Sequence, residues 1–372
     1  MSRRGACERF TASKLRWTAV PGLHAPLLAL SAELGLQRER AQGTLVKATP
    51  GRSVLQLRLA GSDVFLKRHR MRGPADRLKY ALRRSRARSE WRAAQALTAA
   101  GIPCAPALAM AERRRGPFLS EALYLALAVP GLRLDRFLAG LRARRADLRP
   151  LLREVIALHR RLLLAGFVHP DLHDGNLIAR IEAGRPRLAL VDLHALKSRR
   201  SAAGALLWRR RVRRAETKLA HSLSLLLEPG ELDFALAELG PGREPWLRRE
   251  IASLEQTRVA SRSRRCVTRS SQFTGERRQG LWIWRRRALE ADSLVALLET
   301  ARRSGAPELA GALHAGGAEL GARALRLPRA EALARWKEAH ARAVRGLPAP
   351  RALACAWRRF PRREAWLVLE LP

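Results

Sequence analysis

The sequence has little cysteine and no long apolar run. Its four cysteines lie at no CxxC or Cys/His spacing, so neither a zinc site nor a disulfide framework is indicated. No window reaches about 18 uninterrupted apolar residues, the length a membrane-spanning helix needs. The apolar segment after the basic N-terminus is broken by Pro21 and Pro26, which argues against a secretory signal. These absences predict a cytoplasmic protein.

Aromatic residues and lysine are also scarce. Aromatics make up 5% of the chain, and only seven of its 72 basic residues are lysine. Non-specific binding to single-stranded nucleic acid uses aromatic side chains among the cations, so no specific nucleic-acid partner is expected. The formal net charge is nevertheless +39, almost wholly from arginine. Such a surface favours polyanions such as anionic lipid or phosphorylated glycan, unless the arginine content only reflects coding bias.

The first half of the chain shows strand patterns around one helix. Residues 53–59 and 63–67 alternate apolar and polar side chains on either side of Gly61, which predicts a β-hairpin. Residues 89–100 carry apolar side chains at helical spacing and end at a Gly-Ile-Pro segment. Short apolar strands are predicted at 107–111 and 121–129. The order is strand, strand, helix, strand, strand.

A helical region follows and contains a polar loop. Leucine and valine recur at the helical period over residues 151–164, and the sequence HPDLHDGN occupies 169–176 directly afterwards. Two short strands, 177–181 and 187–193, come next. A small β-rich lobe with one main helix, followed by a helical lobe whose loops carry acids, predicts an α+β, two-lobed protein-kinase-like fold.

Five residues in this order fit a phosphoryl-transfer site. Asp171 and Asn176 have the D-x-x-x-x-N spacing of a kinase catalytic loop, and Asp192 stands where the metal-binding Asp of DFG would stand. Lys67 lies on a predicted strand and Glu90 on the following helix, as the kinase Lys–Glu pair requires. Each residue alone has a simpler explanation as a surface charge or a turn residue. The ordered combination carries the prediction.

These segments resemble a known family. HPDLHDGN, FLKRH at 65–69, EWRAAQALTAAGIPCAP at 90–106 and LVDLH at 190–194 are similar to the bacterial lipopolysaccharide kinases of the Kdo/heptose type. The resemblance implies ATP as donor, Mg²⁺ as cofactor and a sugar hydroxyl of the lipopolysaccharide inner core as acceptor. It implies that Asp171 is the catalytic base, that Asn176 and Asp192 are metal ligands, and that Lys67 binds phosphate with Glu90 as its partner.

The sequence departs from the kinase pattern in two places. The phosphate-covering loop has a single glycine, Gly51, in place of G-x-G-x-x-G, so Gly51 and the amide of Ser53 are the candidates for nucleotide contact there. No A-P-E segment follows Asp192, which argues against a protein substrate. Arg199, Arg200 and the RRRVRR run at 209–214 come instead, and they suit an anionic glycolipid or phosphorylated sugar.

Two other functions stay open. One is a kinase of another small hydroxylated acceptor, similar to the aminoglycoside phosphotransferases, although acceptor sites for cationic drugs are usually acidic. The other is a polyanion-binding pseudokinase. For the leading interpretation, the expected location is cytoplasmic, with peripheral attachment at the inner face of the inner membrane as an option.

The C-terminal third contains a basic segment and an internal repeat. Residues 259–289 are rich in arginine and carry Trp282 and Trp284, a composition typical of an anionic membrane surface or of an ordinary strand with solvated arginines. Residues 336–354 align with 91–109, which predicts a degenerate second N-lobe with Arg326 near the place of Lys67 and Arg335 at that of Glu90. The predicted domains are an N-terminal extension (1–40), the N-lobe (41–131), the C-lobe with its basic extension (132–300) and the partial repeat (301–372).

Overall fold

The computed structural model describes residues 7–35, 43–49, 51–201, 204–270, 272–358 and 364–371. The chain divides into two compact units, Met1–Ile251 and Ala252–Pro372. Each unit contains its own large antiparallel sheet. Every helix in the described part of the chain is too short or too polar to cross a membrane.

The first unit begins with a sheet that has helices packed against both faces. Its elements are β1 (Glu8–Ala12), β2 (Leu15–Ala19), α1 (His24–Gly35), β3 (Gly43–Thr49), β4 (Arg52–Leu59), β5 (Ser62–Arg70), α2 (Pro74–Leu82), α3 (Arg86–Ala99), β6 (Ala107–Arg115) and β7 (Phe118–Leu127). The described strands follow the order β1-β2-β6-β7-β5-β4-β3. The predicted hairpin, helix and following strand pair are therefore confirmed.

Alternation along β5 assigns its side chains to the two faces of the sheet. Val64 and Leu66 are fully buried and share a core with Leu27 and Leu30 of α1. Successive strand residues point to opposite faces, so Lys67 and His69 lie on the other face, on the side of α3. Buried residues of α3 and β7 form part of a second core there. The sheet thus separates an apolar face from the face that carries the polar site.

The rest of the first unit is mainly helical. Its elements are β8 (Leu132–Arg133), α4 (Leu134–Ala143), α5 (Arg149–Leu164), β9 (Phe167–Val168), β10 (Leu177–Glu182), β11 (Arg185–Leu190), β12 (Lys197–Ser198), α6 (Ala205–Ser224), α7 (Pro229–Leu239) and α8 (Glu244–Ser263), within which the two units are divided. The helical period predicted for α5 is confirmed, because Leu151, Val155, Leu158 and Leu162 are all buried. The two-lobed α+β fold is confirmed as well.

The second unit repeats the strand order of the first sheet. Its elements are β13 (Phe273–Arg278), β14 (Leu281–Arg286), α9 (Ala291–Ser304), β15 (Glu308–Ala315), β16 (Ala318–Leu327), α10 (Arg329–Val344), β17 (Ala352–Arg358) and β18 (Glu364–Glu370). The sheet order is β13-β14-β17-β18-β16-β15. This order corresponds to β1-β2-β6-β7-β5-β4, with α9 in the place of α1 and α10 in the place of α3.

The unit boundaries differ from those expected from the sequence. The predicted N-terminal extension contains β1, β2 and α1, and β2 pairs with β6 as part of the sheet. Alternate residues of β2, Leu15, Trp17 and Ala19, are buried, which holds this hairpin in the core. The second unit begins near residue 252, not at 301, because the basic segment 259–289 supplies β13 and β14. The expected boundary at residue 40 lies outside the described residues.

Candidate active site

The site is centred on Lys67, which contacts two acids from distant parts of the chain. Its ammonium group donates a hydrogen bond to Glu90 of α3 and another to Oδ1 of Asp192, at 3.2 Å. Glu90 is only 2% exposed because its stretch of α3 packs against the sheet. Lys67 thus joins the two acids that were predicted from a helix and from a later loop.

Asp192 sits in a strained backbone conformation at the end of β11. Its φ of 57° lies in the left-handed region, which is uncommon for a residue with a side chain. Its carboxylate is 2.9 Å from Nδ1 of His194 and 3.3 Å from the guanidinium of Arg52. Burial opposes ionisation, but the His194 hydrogen bond and the charges of Lys67 and Arg52 outweigh it and hold the pKa of Asp192 well below its usual range. The group is thus a carboxylate at neutral pH.

Backbone pairing brings Asn176 beside Asp192. Leu177 pairs with Leu190 in the β10–β11 hairpin, and the N–H of Val191 donates to the carbonyl oxygen of Asn176 at 3.0 Å. The Asn176 amide nitrogen donates to the carbonyl oxygen of Asp171 at 2.8 Å. This bond fixes the catalytic-loop turn and leaves the Asn176 side-chain oxygen as the atom available to a cation.

Asp171 presents its carboxylate to solvent. Its side chain is 54% exposed, and Nε2 of His173 lies 3.9 Å from its Oδ2. His173 is held in place because its Nδ1 accepts the N–H of Gly175 at 3.0 Å. An exposed carboxylate beside a buried Asn176 is accessible to an incoming hydroxyl, as a general base must be.

The loop contains a third acid with a different environment. Asp174 accepts a hydrogen bond from Ser222 of α6 at 3.1 Å, while its own N–H donates to the Ser222 hydroxyl at 3.0 Å. Arg133 lies 3.5 Å from its other carboxylate oxygen. These bonds connect the loop to α6, so Asp174 holds the loop in place and Asp171 remains the free acid.

The two residues expected to contact phosphate differ in orientation. Gly51 has a φ of 82°, and its carbonyl oxygen accepts the N–H of Arg70, which extends the pairing of β4 with β5 by one residue. Ser53 pairs with Arg68, the neighbour of Lys67 along β5, and neighbouring strand residues point to opposite faces of the sheet. Its side chain therefore lies on the opposite face, where it lines a cavity with Leu55 and Arg68. Only the backbone of Ser53 is left for the predicted phosphate contact.

Three residues at this site were missed by the sequence reasoning. Arg52 pairs with His69 across β4 and β5, on the face that carries Lys67, and reaches Asp192. His194 bonds the Asp192 carboxylate, and Nε2 of His169 lies 3.3 Å from the Asp192 carbonyl oxygen. Both histidines lie in the segments HPDLHDGN and LVDLH, which were already singled out in the sequence analysis. The contact of Arg52 with Asp192, by contrast, follows only from the register of β4 against β5.

A divalent cation would find two protein ligands here. The described residues contain no cluster of three or more His, Cys, Asp or Glu side chains that could hold a metal alone. Asn176 and Asp192 offer one amide oxygen and one carboxylate. Mg²⁺ is commonly held by one or two carboxylates together with substrate phosphates, so this donor set fits that ion.

A known protein family matches the part of the chain that carries these residues. Residues 37–211 match the profile of the Lipopolysaccharide kinase (Kdo/WaaP) family. This part of the chain belongs to the lipopolysaccharide kinase family. The match contains all seven predicted site residues, from Gly51 to Asp192, and leaves the second unit outside. The chain is therefore a kinase with an alcohol group as acceptor.

Two solved structures are similar to the chain at low sequence identity. WaaP in complex with acyl carrier protein is 22% identical, over 58% of this chain and 90% of that chain, with a TM-score of 0.45. The kinase domain of PknI from Mycobacterium tuberculosis, solved as a double mutant, is 19% identical over 50% of this chain and 72% of that chain, with a TM-score of 0.32. No curated protein sequence matches the chain.

Proposed function

We propose that this lipopolysaccharide kinase uses ATP and Mg²⁺ to phosphorylate a hydroxyl group of an inner-core sugar of lipopolysaccharide, either Kdo or heptose. The observation that carries the proposal is the contact of Lys67 with both Glu90 and Asp192. Structural ion pairs also occur in ordinary proteins. A partly buried lysine between a helix acid and an acid beside the catalytic loop is, however, the arrangement that phosphoryl transfer requires.

Each residue has a distinct role in this proposal. Lys67, oriented by Glu90, binds the donor phosphates of ATP. Asn176 and Asp192 hold Mg²⁺, which neutralises charge on the transferred phosphate. Asp171 orients the acceptor hydroxyl and accepts its proton at a carboxylate oxygen. Gly51 and the backbone of Ser53 lie at the hairpin end that would cover the phosphates.

Exposed arginines favour an anionic acceptor. Arg209, Arg210, Arg213 and Arg214 of α6 are exposed, and no carboxylate within the described ranges pairs with them. Arginine binds phosphate and carboxylate through paired hydrogen bonds, so this surface suits an anionic glycolipid. The same surface disfavours a cationic drug as acceptor. It also supports peripheral attachment to an anionic membrane at the cytoplasmic face.

The test is a transfer assay with defined acceptors. The full chain is incubated with ATP, Mg²⁺ and inner-core acceptors that carry Kdo alone or Kdo with heptose, and mass spectrometry locates any added phosphate. The proposal expects phosphate on one sugar hydroxyl, and none when Asp171→Asn replaces the wild type. An aminoglycoside acceptor serves as the comparison. Transfer only to the aminoglycoside would replace the acceptor class, and no transfer with intact ATP binding would favour a pseudokinase.

A further inference from the structure

A second pocket lies next to the candidate active site in the first unit. It has a volume of about 290 Å³ and is formed by the β3–β4 hairpin, the end of β5, α2 and the start of α3. Neither Lys67 nor Asp192 lines it, so it is separate from the place where they meet. We call it the basic pocket, because six cationic side chains line it: Lys47, Arg52, Arg70, Arg72, Lys79 and Arg86.

The positive charge of the basic pocket is compensated only in part. Asp76 is the one acidic residue among those lining it, and its carboxylate is 3.4 Å from the backbone N–H of Arg72. Arg52 also contacts Asp192, and the guanidinium of Arg70 lies 3.8 Å from the Glu121 carboxylate. In the described part of the chain, no carboxylate lies within ion-pair distance of the Lys79 or Arg86 side chain. Several cations held close together with fewer anions favour binding of a further anion.

A buried and unpartnered polar atom points to the same conclusion. His69 is only 6% exposed, and its Nε2 has no hydrogen-bond partner in the structure. Buried polar atoms are nearly always hydrogen-bonded, so this nitrogen is a candidate ligand contact. Burial, together with the charges of Arg52 and Arg86, lowers the pKa of His69 to about 3. The neutral ring can still donate an N–H to an anion.

Gly51, at the turn between β3 and β4, leaves room for Arg72 to form one wall of the basic pocket. A Cβ atom on Gly51 would lie 3.0 Å from the carbonyl oxygen of Arg70 and 3.0 Å from Cγ of Arg72. Because Gly51 has no side chain, Arg72 folds directly against the hairpin tip. The same glycine therefore shapes both the turn before β4 and one wall of the basic pocket.

We propose that the basic pocket binds a phosphate group, additional to the phosphate being transferred. The inference rests on the proposed function for its setting, because Arg52 lines this pocket and also contacts Asp192. A phosphate group matches several convergent cations and one N–H donor better than a single carboxylate does. Its source is either a phosphate already present on the acceptor or free inorganic phosphate.

Direct binding is tested first, with inorganic phosphate as the probe. Calorimetry measures phosphate binding to the full chain with and without a saturating non-hydrolysable ATP analogue and Mg²⁺, which fill the nucleotide site. The double variant Lys79→Ala/Arg86→Ala should weaken phosphate binding by about tenfold or more, since it removes two charged donors. Its matched control, Arg77→Ala/Arg84→Ala, changes the same charge at exposed neighbouring positions outside the pocket and should bind as the wild type does.

The outcomes separate this inference from the proposed function. Phosphate binding that persists beside the analogue, and is lost only in the pocket variant, supports the pocket. No binding beside the analogue, or equal loss in both double variants, overturns it while leaving the kinase proposal intact. If the analogue itself fails to bind and phosphate still binds in the pocket, the pocket stands and the kinase proposal fails. Circular dichroism checks that both double variants are folded.

A kinetic arm distinguishes the two sources of phosphate. Transfer is measured with an inner-core acceptor before and after phosphatase treatment. An acceptor source predicts that dephosphorylation raises the KM for the acceptor by about tenfold in the wild type and changes it little in the pocket variant. A free-phosphate source predicts that added inorganic phosphate changes the rate equally for both acceptors. If neither treatment affects the wild type, the pocket has no role in acceptor binding or regulation.

Discussion

The two sheets of this protein share a strand order but differ in chemistry. Lys67 of β5 lies opposite Tyr124 of β7, and Arg326 of β16 lies opposite Trp366 of β18. Lys67 contacts a helix acid, whereas Arg326 contacts Glu364 of a neighbouring strand. The equivalent strand positions therefore both carry cations, but only the first is directed to a helix.

The helices that follow these strands differ in the same way. Trp91 of α3 and Trp336 of α10 are both buried, so each helix packs through a tryptophan. The residue before the tryptophan is the buried Glu90 in α3 and the exposed Arg335 in α10, which pairs with Glu331 on its own helix. The packing of this sheet and helix therefore does not depend on the Lys–Glu pair. That pair is retained in the first unit alone, the unit that contains HPDLHDGN.

The largest effect is expected from the catalytic loop that only the first unit has. Asp171→Asn removes the proton acceptor and should lower the transfer rate by about 10²–10⁴-fold, the usual contribution of a general base. ATP affinity should stay nearly unchanged, because Asp171 lies outside the phosphate contacts. Steady-state kinetics and calorimetry measure the two quantities. The matched control is Asp174→Asn in the same loop, which should lower the melting temperature more than the rate. Wild-type activity in Asp171→Asn would remove Asp171 from the mechanism.

The next effect compares the two strand cations directly. Lys67→Met removes a charge that stabilises the phosphates and should lower kcat by about 10²-fold, as loss of one transition-state contact does. Arg326→Met makes the matching change in the second sheet and should leave kcat unaltered. Both are measured with saturating ATP and Mg²⁺. Equal losses in the two variants would mean that the second sheet takes part in the chemistry and that the two strand cations do not differ in function.

A smaller effect is expected from the two helix positions. Glu90→Gln weakens the orientation of Lys67, but Asp192 remains 3.2 Å from the ammonium group, so the rate should fall by only about tenfold. Arg335→Gln changes an exposed residue and should be silent in rate and within about 0.5 kcal/mol in stability. Steady-state kinetics and denaturant unfolding of both variants test this. A Glu90→Gln rate equal to wild type would make Glu90 a packing residue only.

The sequence predicted the contacts that follow from local pattern and failed where register decides. The strand of Lys67, the helix of Glu90 and the loop of Asp171 each carry a local signal, and their ordered combination located the site. Arg52 reaches Asp192 across 140 residues, and its face is set by the pairing of β4 with β5. The orientation of Ser53 depends on the same pairing, which a one-residue shift would invert.

The first two strands of the second sheet were not placed by the sequence analysis, because these strands are rich in arginine. β13 and β14 read FTGERR and LWIWRR, and their arginines hid the alternation that buries Phe273, Leu281 and Ile283. The segment therefore suggested a membrane surface as well as a strand. In the structure it is a hairpin whose Trp284 packs against a core and whose Trp282 is 47% exposed.

The smallest effect is expected from the arginines of α6. It tests whether acceptor binding depends on this local surface of the first unit or on the net charge of the whole chain. Arg209, Arg210 and Arg213 are exposed near the start of this helix. If they bind an anionic glycolipid, changing all three to Ala should raise the KM for lipopolysaccharide severalfold with little change in kcat, the pattern of lost uniform binding. A control triple, Arg303, Arg335 and Arg345 to Ala, removes the same charge from exposed positions of the second unit.

Ionic strength provides the second measurement for this prediction. At physiological salt the Debye length is about 8 Å, so contacts between exposed charges weaken as salt rises. The wild-type KM for lipopolysaccharide should therefore increase with salt, while the KM for an uncharged sugar fragment should stay constant. The α6 triple should lose most of this salt dependence and the control triple should keep it. If both triples behave alike, net charge and not the α6 surface attracts the acceptor, and the arginine content of the chain then needs no local function.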